Sequence, residues 1–156
     1  MLPGISTLGI ELGFGIGKTL PSVFTRLHRI NAIGGISLET EQIDASALED
    51  YVTRYVAGRQ DTGGSFPITI NPTDETIAEW EALIAAYNAK ASDERLFLVV
   101  WSPYLTRSFY IAAQPPQQLP MSEMAQNELQ TIEIGMTIDE YLGMDTAIRP
   151  TEAASA

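Results

Sequence analysis

Leu129–Ile138, LQTIEIGMTI, sets Ile132, Ile134, Met136 and Ile138 against Thr131, Glu133, Gly135 and Thr137 in unbroken alternation. Apolar side chains at every second residue mark a strand with one face in a core and the other in water. A strand of this kind needs partners, and the rest of the chain supplies them.

Just upstream, RLFLVVW (95–101) and RSFYIAA (107–113) flank the turn sequence SPYLT and read as a hairpin whose first strand is apolar on both faces. VFTRLHRI (23–30) alternates with period two and reads as one strand. NAIGG (31–35) follows as a turn, then ISLETEQI (36–43) as a second strand with a wet face. SFPITI (65–70) is a short strand in which Pro67 argues for an edge or a bulge. Asn71 and Pro72 fit the N-cap and first position of a helix over about residues 72–89. Asp74 and Glu75 suit its positive end, and Ile77, Trp80, Ile84 and Tyr87 form its apolar stripe. Residues 43–64 form a long connection carrying a short helix or strand, in which Leu48, Tyr51, Val52 and Tyr55 keep helical spacing before a Gly-rich end. PPQQLP (115–120) interrupts regular structure. About six strands and one long helix make a mainly β, α+β domain. The expected organisation is an N-terminal arm (1–22), one domain (23–148) and a flexible C-terminal tail (149–156), with TEAASA frayed.

With 156 residues the chain suits a single domain with a real core. Nine basic and 20 acidic residues give a net charge of −11, which repels phosphate backbones and argues against sequence-reading of DNA. The distribution is more telling than the total. Residues 30–53 hold five carboxylates and residues 108–148 hold six, and neither span contains a Lys or Arg. Cysteine is absent, so disulfides, thiolate metal sites and Cys nucleophiles are excluded. The N-terminus lacks a basic region and carries Glu11 where a leader would be apolar. No run approaches the roughly 18–20 apolar residues of a membrane-spanning helix.

GFGIGKT (13–19) has the look of a phosphate-binding loop, but Leu12 stands where the Walker pattern needs glycine and Lys18 where the dinucleotide pattern needs one. Leu20-Pro21-Ser22 follows instead of a helix. The glycines fit an arm or edge strand that another backbone approaches closely, with Gly13, Gly15 and Gly17 as candidate contacts between subunits. His28, the only histidine, lies between Arg26 and Arg29 in a predicted strand and is expected to be a packing or surface residue. Glu39, Glu41, Asp44, Glu49 and Asp50 lack calcium-loop spacing. Asp139 and Glu140, adjacent on a strand, should point to opposite faces. No catalytic residue, metal ligand or cofactor site is assigned.

RLHRINAIGGISLETEQIDASALEDYVTRYVAGRQDTGG (26–64), EWEALIAAY (79–87), FYIAAQPP (109–116) and NELQTIEIGMTIDEY (127–141) together resemble the tail tube, or major tail, proteins of long-tailed non-contractile bacteriophages. The resemblance implies a β-sandwich or split barrel with one flanking helix, assembled into hexameric rings stacked as a tube in the virion tail. It implies a structural, non-enzymatic subunit made in the host cytoplasm. Its partners would be copies of itself, a tape measure protein, a tail terminator and a distal tail protein, with double-stranded DNA passing through an electronegative lumen without specific contacts. On this basis Glu39, Glu41 and Glu133 are candidate lumen-facing residues. The arm and the 43–64 loop, with Leu48, Tyr51 and Tyr55, would contact neighbours. The tube of a related injection device, of the type VI secretion or phage-like bacteriocin kind, is the alternative. A small nucleotide-binding enzyme is the remote one.

Overall fold

The long alternating segment becomes the strand on which the sheet turns. The computed structural model describes residues 4, 7–48, 51–52, 55–61 and 64–152, with the side chains of 39–41 and 55–61 outside that description. Nine strands and one helix follow in chain order: β1 Glu11–Gly17, β2 Thr25–Leu27, β3 Ile30–Ile33, β4 Glu39–Asp44, β5 Tyr55–Asp61, β6 Ser65–Ile70, α1 Asp74–Ala89, β7 Arg95–Trp101, β8 Arg107–Gln114 and β9 Ile132–Thr146. Seven strands form one antiparallel sheet in the order β2-β1-β7-β8-β9-β6-β3, while among the described residues β4 and β5 pair only with each other.

β9 runs for 15 residues and serves two neighbours in succession. Ile132–Thr137 pairs with β6, and Thr137–Thr146 pairs with β8, so only Thr137 has a strand partner on both sides. The β8 ladder shifts register between Tyr110 and Ile111 and between Ala112 and Ala113, leaving Leu142 and Asp139 as extra residues of β9. Bulges sharpen twist, and Gly143 supplies a backbone at φ 81° that side chains resist. The sheet therefore folds over at β9 into two half-sheets, which is the split-barrel form expected.

The inner faces of the two halves close on one core. Ile132, Ile134, Met136 and Ile138 of β9 join Phe66, Ile68 and Ile70 of β6 from one side; Leu12, Leu27, Leu96, Leu98, Ile111 and Ala113 come from the other. Helix α1 adds Trp80, Leu83 and Ile84 to it. Its start differs from expectation. Thr73, not Asn71, is the N-cap: its hydroxyl accepts from Thr76 N at 3.2 Å while Thr73 N donates to Thr76 Oγ1 at 2.7 Å. Asn71 instead ties the approach, donating from its N to Arg29 O at 2.9 Å.

β7 is buried on both faces, as its sequence predicts. Phe97 and Val99 point away from the main core into a second cluster with Phe24, Tyr110 and Ala112, against which Leu20 and Ile148 pack. The expected strand over 23–30 is broken. Arg29 sits at φ 58° and turns the chain between β2 and β3, a corner with no Gly or Pro to announce it. The NAIGG turn is displaced accordingly, with Asn31–Ile33 in β3 and only Gly34 and Gly35 beyond it. Pro67 is not on an edge strand, since β6 lies between β9 and β3. Its missing N–H faces the flank where β3 has already ended, and its carbonyl accepts from Gly34 N at 2.7 Å.

The arm expected over residues 1–22 is shortened, because Glu11–Gly17 lies inside the sheet between β2 and β7. A Cβ on Gly13 would stand 2.7 Å from Pro150 Cβ, and one on Gly15 2.8 Å from Pro21 Cγ. These glycines admit the chain's own segments over β1. Gly13→Ala should accordingly destabilise the isolated chain by about 1–3 kcal/mol, the usual cost of overpacking, measured by urea unfolding of the dilute protein. An unchanged midpoint would mean that Pro150 is not held there.

Candidate assembly surfaces

The face of β9 opposite the core carries Glu133, Gly135 and Thr137, all exposed. Across the ladder they meet Thr69, Pro67 and Ser65 of β6, so Glu133 is the charged member of an otherwise small, polar surface. Its backbone N donates to Ser122 Oγ at 2.9 Å, which holds the 115–131 segment beside this face. Alternation places the Glu133 side chain where its sequence position implies. Glu39 and Glu41 lie in β4, where Glu39 pairs with Asp61, but their side chains lie outside the described residues, as do Glu49 and Asp50 altogether. Asp139 and Glu140 do not divide between faces. The bulge at Asp139 breaks the alternation, and both are exposed, with Asp139 accepting from Gln114 at 3.2 Å and Glu140 from Arg95 at 2.9 Å.

The β4–β5 hairpin occupies most of the expected 43–64 connection. Of the short helix or strand expected within it, strand is what forms, at Tyr55–Asp61, and Leu48, Tyr51 and Val52 lie between the two strands. Tyr55 pairs with Asp44 at the start of β5, and its side chain lies outside the described residues. The segment between the strands leaves Leu48 108%, Tyr51 104% and Val52 75% exposed, and Ile43 is exposed on β4. None of these four side chains faces the domain's own core.

GFGIGKT is no phosphate cradle in this fold. Its first five residues are strand, and Lys18 Nζ lies 3.0 Å from Asp93.

A charged constellation that the sequence reading missed surrounds His28. Its Nδ1 lies 2.8 Å from Glu79 Oε1 on α1, its backbone N donates to Glu79 Oε2 at 3.0 Å, and its Nε2 lies 2.9 Å from Glu152 Oε1. Next to it Glu11, only 6% exposed, lies 3.3 Å from Arg26 Nε and accepts from Arg149 Nε at 3.1 Å. The Arg26 approach is an ion pair without hydrogen-bond alignment. Residues 11, 26, 28, 79, 149 and 152 are too scattered for spacing to reveal. Among the described residues no nucleophile joins His28, and the arrangement ties α1 and the C-terminal segment to β1 and β2.

Burial disfavours the His28 imidazolium, but hydrogen bonds to Glu152 and Glu79, with their charges, outweigh it and raise its pKa above 6.5. The bond to His28 lowers the Glu152 pKa. A raised histidine stabilises the fold fully below its unfolded pKa and loses that contribution as pH climbs through the folded one. A lowered carboxylate contributes above its unfolded pKa and loses it as pH falls through the folded one. His28→Gln should thus cost up to about 1 kcal/mol near pH 6 and progressively less toward about pH 9, followed by denaturant titration at each pH. A cost independent of pH would show that charge on His28 is not what matters.

No family model matches the chain, and no curated protein does. Among solved structures it is similar to a chain in the cryo-EM structure of the anti-feeding prophage cap, the tube-terminating cap, with a TM-score of 0.54 and 15% identity over 94% of each chain. It is also similar to a chain of the sheath–tube complex of PVC, an extracellular contractile injection system in its extended state, with a TM-score of 0.53 and 14% identity over 93% of each chain. The mainly β fold with one helix is therefore one shared with components of phage-tail-like injection assemblies.

Proposed function

We propose that this chain is a structural, non-enzymatic subunit of a phage-tail-like tube, joining copies of itself into rings that stack around a hollow channel. One observation carries the reading: a hairpin that pairs only with itself and exposes Ile43, Leu48, Tyr51 and Val52. A two-stranded hairpin is marginal in water, and apolar side chains at its connection gain from being covered. The resemblance to tail tube proteins and the fold shared with tube and cap assemblies support neighbouring subunits as what covers it. Such a subunit belongs to a virion or particle tail, with tape measure, terminator and distal tail proteins as its further partners.

Acidic residues complete the proposal. Glu133 on the open face of β9, with Glu39 and Glu41 on β4, would line the channel, where negative charge lets DNA slide without sticking. A second reading places the chain in the tube, or at the tube end, of a contractile injection device. The fold likeness to a tube-terminating cap chain and a sheath–tube chain favours it.

Leu48→Asp with Tyr51→Asp should leave folding stability within about 0.5 kcal/mol of the parent, because both side chains are fully exposed, yet abolish polymers seen by sedimentation velocity. Polymers of parental size from that variant would remove the hairpin from assembly. Lysine at 39, 41 and 133 together should allow rings to form but slow DNA release in an ejection assay. Release at the parental rate would remove these residues from the channel wall.

A further inference from the structure

The two ends of the seven-stranded sheet are treated differently. At one end β3 is the last strand, and no described segment pairs with its outer flank. At the other end, the outer flank of β2 is closed by the chain itself. By the period of two, the outward main-chain groups there belong to Phe24, Arg26 and His28. Arg26 N donates to Thr151 O at 2.7 Å, and Thr151 N donates to Phe24 O at 2.9 Å, a parallel bridge centred on Thr25. The Thr151 hydroxyl adds a bond to Phe24 O at 3.2 Å, and His28 N is taken by Glu79. A visiting strand would find the Arg26 and His28 donors and the Phe24 acceptor already used.

The covering segment, Arg149–Glu152, was expected to be part of a flexible tail, and instead it is latched at both ends. Arg149 bonds Glu11 at 3.1 Å while its guanidinium carbon lies 4.7 Å from the centre of the Trp101 ring. Glu152 reaches His28 at 2.9 Å and Arg26 Nη1 at 3.5 Å. Between them Pro150 is buried over Gly13. Thr151 directs its N–H and C=O at β2, so the groups of Pro150 and Glu152 face outward, and Pro150 has no N–H to offer. The segment thus replaces an open edge with a short one that offers no donor at Pro150, a device that blunts edge-to-edge pairing.

We infer that Arg149–Glu152 is a charge-latched guard that keeps a strand of a second copy from adding to β2. The strand kept out is β3, with whose outer flank no described segment of the same molecule pairs. β3 on β2 is a head-to-tail contact between different surfaces, which propagates without limit unless its rotation closes a ring. By closing β2, the guard confines association to the other surfaces of the subunit. It operates whether or not the chain builds tubes.

The test compares the full chain with Arg149→Ala/Glu152→Ala and, separately, Thr151→Pro, which deletes the N–H that bonds Phe24 O. Hydrogen exchange at the Arg26 amide should accelerate about tenfold or more in both, with the β8 amide of Ile111 as protected as before. Both variants should form irregular, thioflavin-positive aggregates in which strand pairing is unlimited, while the parent does not. Should Ile111 lose protection as well, the milder Glu152→Gln is put through the same two measurements and decides. An Arg26 amide that opens without any association, or one that stays protected in the variants, overturns the guard. Absence of rings from the parent protein would count against the tube reading and leave this comparison intact.

Discussion

The fold depends on β9 changing partners. Its first half belongs to β6 and its second to β8, and the change is made within the few residues around Thr137, Asp139, Leu142 and Gly143. Without the two register shifts the strand would continue as a plain ladder and the seven strands would lie in one open twisted sheet. One face of such a sheet would carry Ile132, Ile134, Met136, Leu96, Leu98 and Ile111 with a single helix to cover them all. Folding at β9 lets the halves cover each other, and α1 needs to supply only Trp80, Leu83 and Ile84.

That economy has consequences for what remains outside. With the main core satisfied internally, the outer face of β1, β7 and β8 is closed by segments of the same chain, through Phe24, Leu20 and Ile148. Among the described residues the hairpin belongs to no larger sheet, and Leu48, Tyr51 and Val52 between its strands are exposed. Charge divides in the same way. The basic residues Arg26 and Arg149 are gathered with Glu11, Glu79 and Glu152 around His28, where they fasten α1 and the C-terminal segment. Glu133 is left on an open face with Thr69 and no cation across the ladder. The chain thus closes itself on one side and presents the hairpin and Glu133 elsewhere, the two features on which the proposed assembly rests.

Sequence patterns conveyed the elements well and their surroundings poorly. The alternation of 132–138, the doubly apolar RLFLVVW and the stripe of Trp80 and Ile84 translate directly into burial, because each pattern reports which faces are dry. The corner at Arg29 was illegible, since a left-handed arginine leaves no mark in composition. So was the bulge at Asp139, which sends Asp139 and Glu140 to the same side of an expected alternation. GFGIGKT misled for a similar reason: glycines that admit a close segment look alike whether that segment is a neighbour's or the chain's own, and Pro150, which lies over Gly13, is distant in sequence from β1. The C-terminal latch joins residues 11, 26, 28 and 152, a relation that only the folded chain creates.

The central claim is that the domain is a subunit completed by copies of itself through its hairpin and acidic face. Electron microscopy of the concentrated, purified protein, carried to averaged images or a helical reconstruction, examines it most directly. The account predicts hollow rings or stacked tubes in which each β4–β5 hairpin lies against a neighbouring subunit and Glu133 faces the channel. A protein that stays a dispersed monomer at all concentrations, or an ordered assembly in which the hairpin remains in solvent, would contradict it.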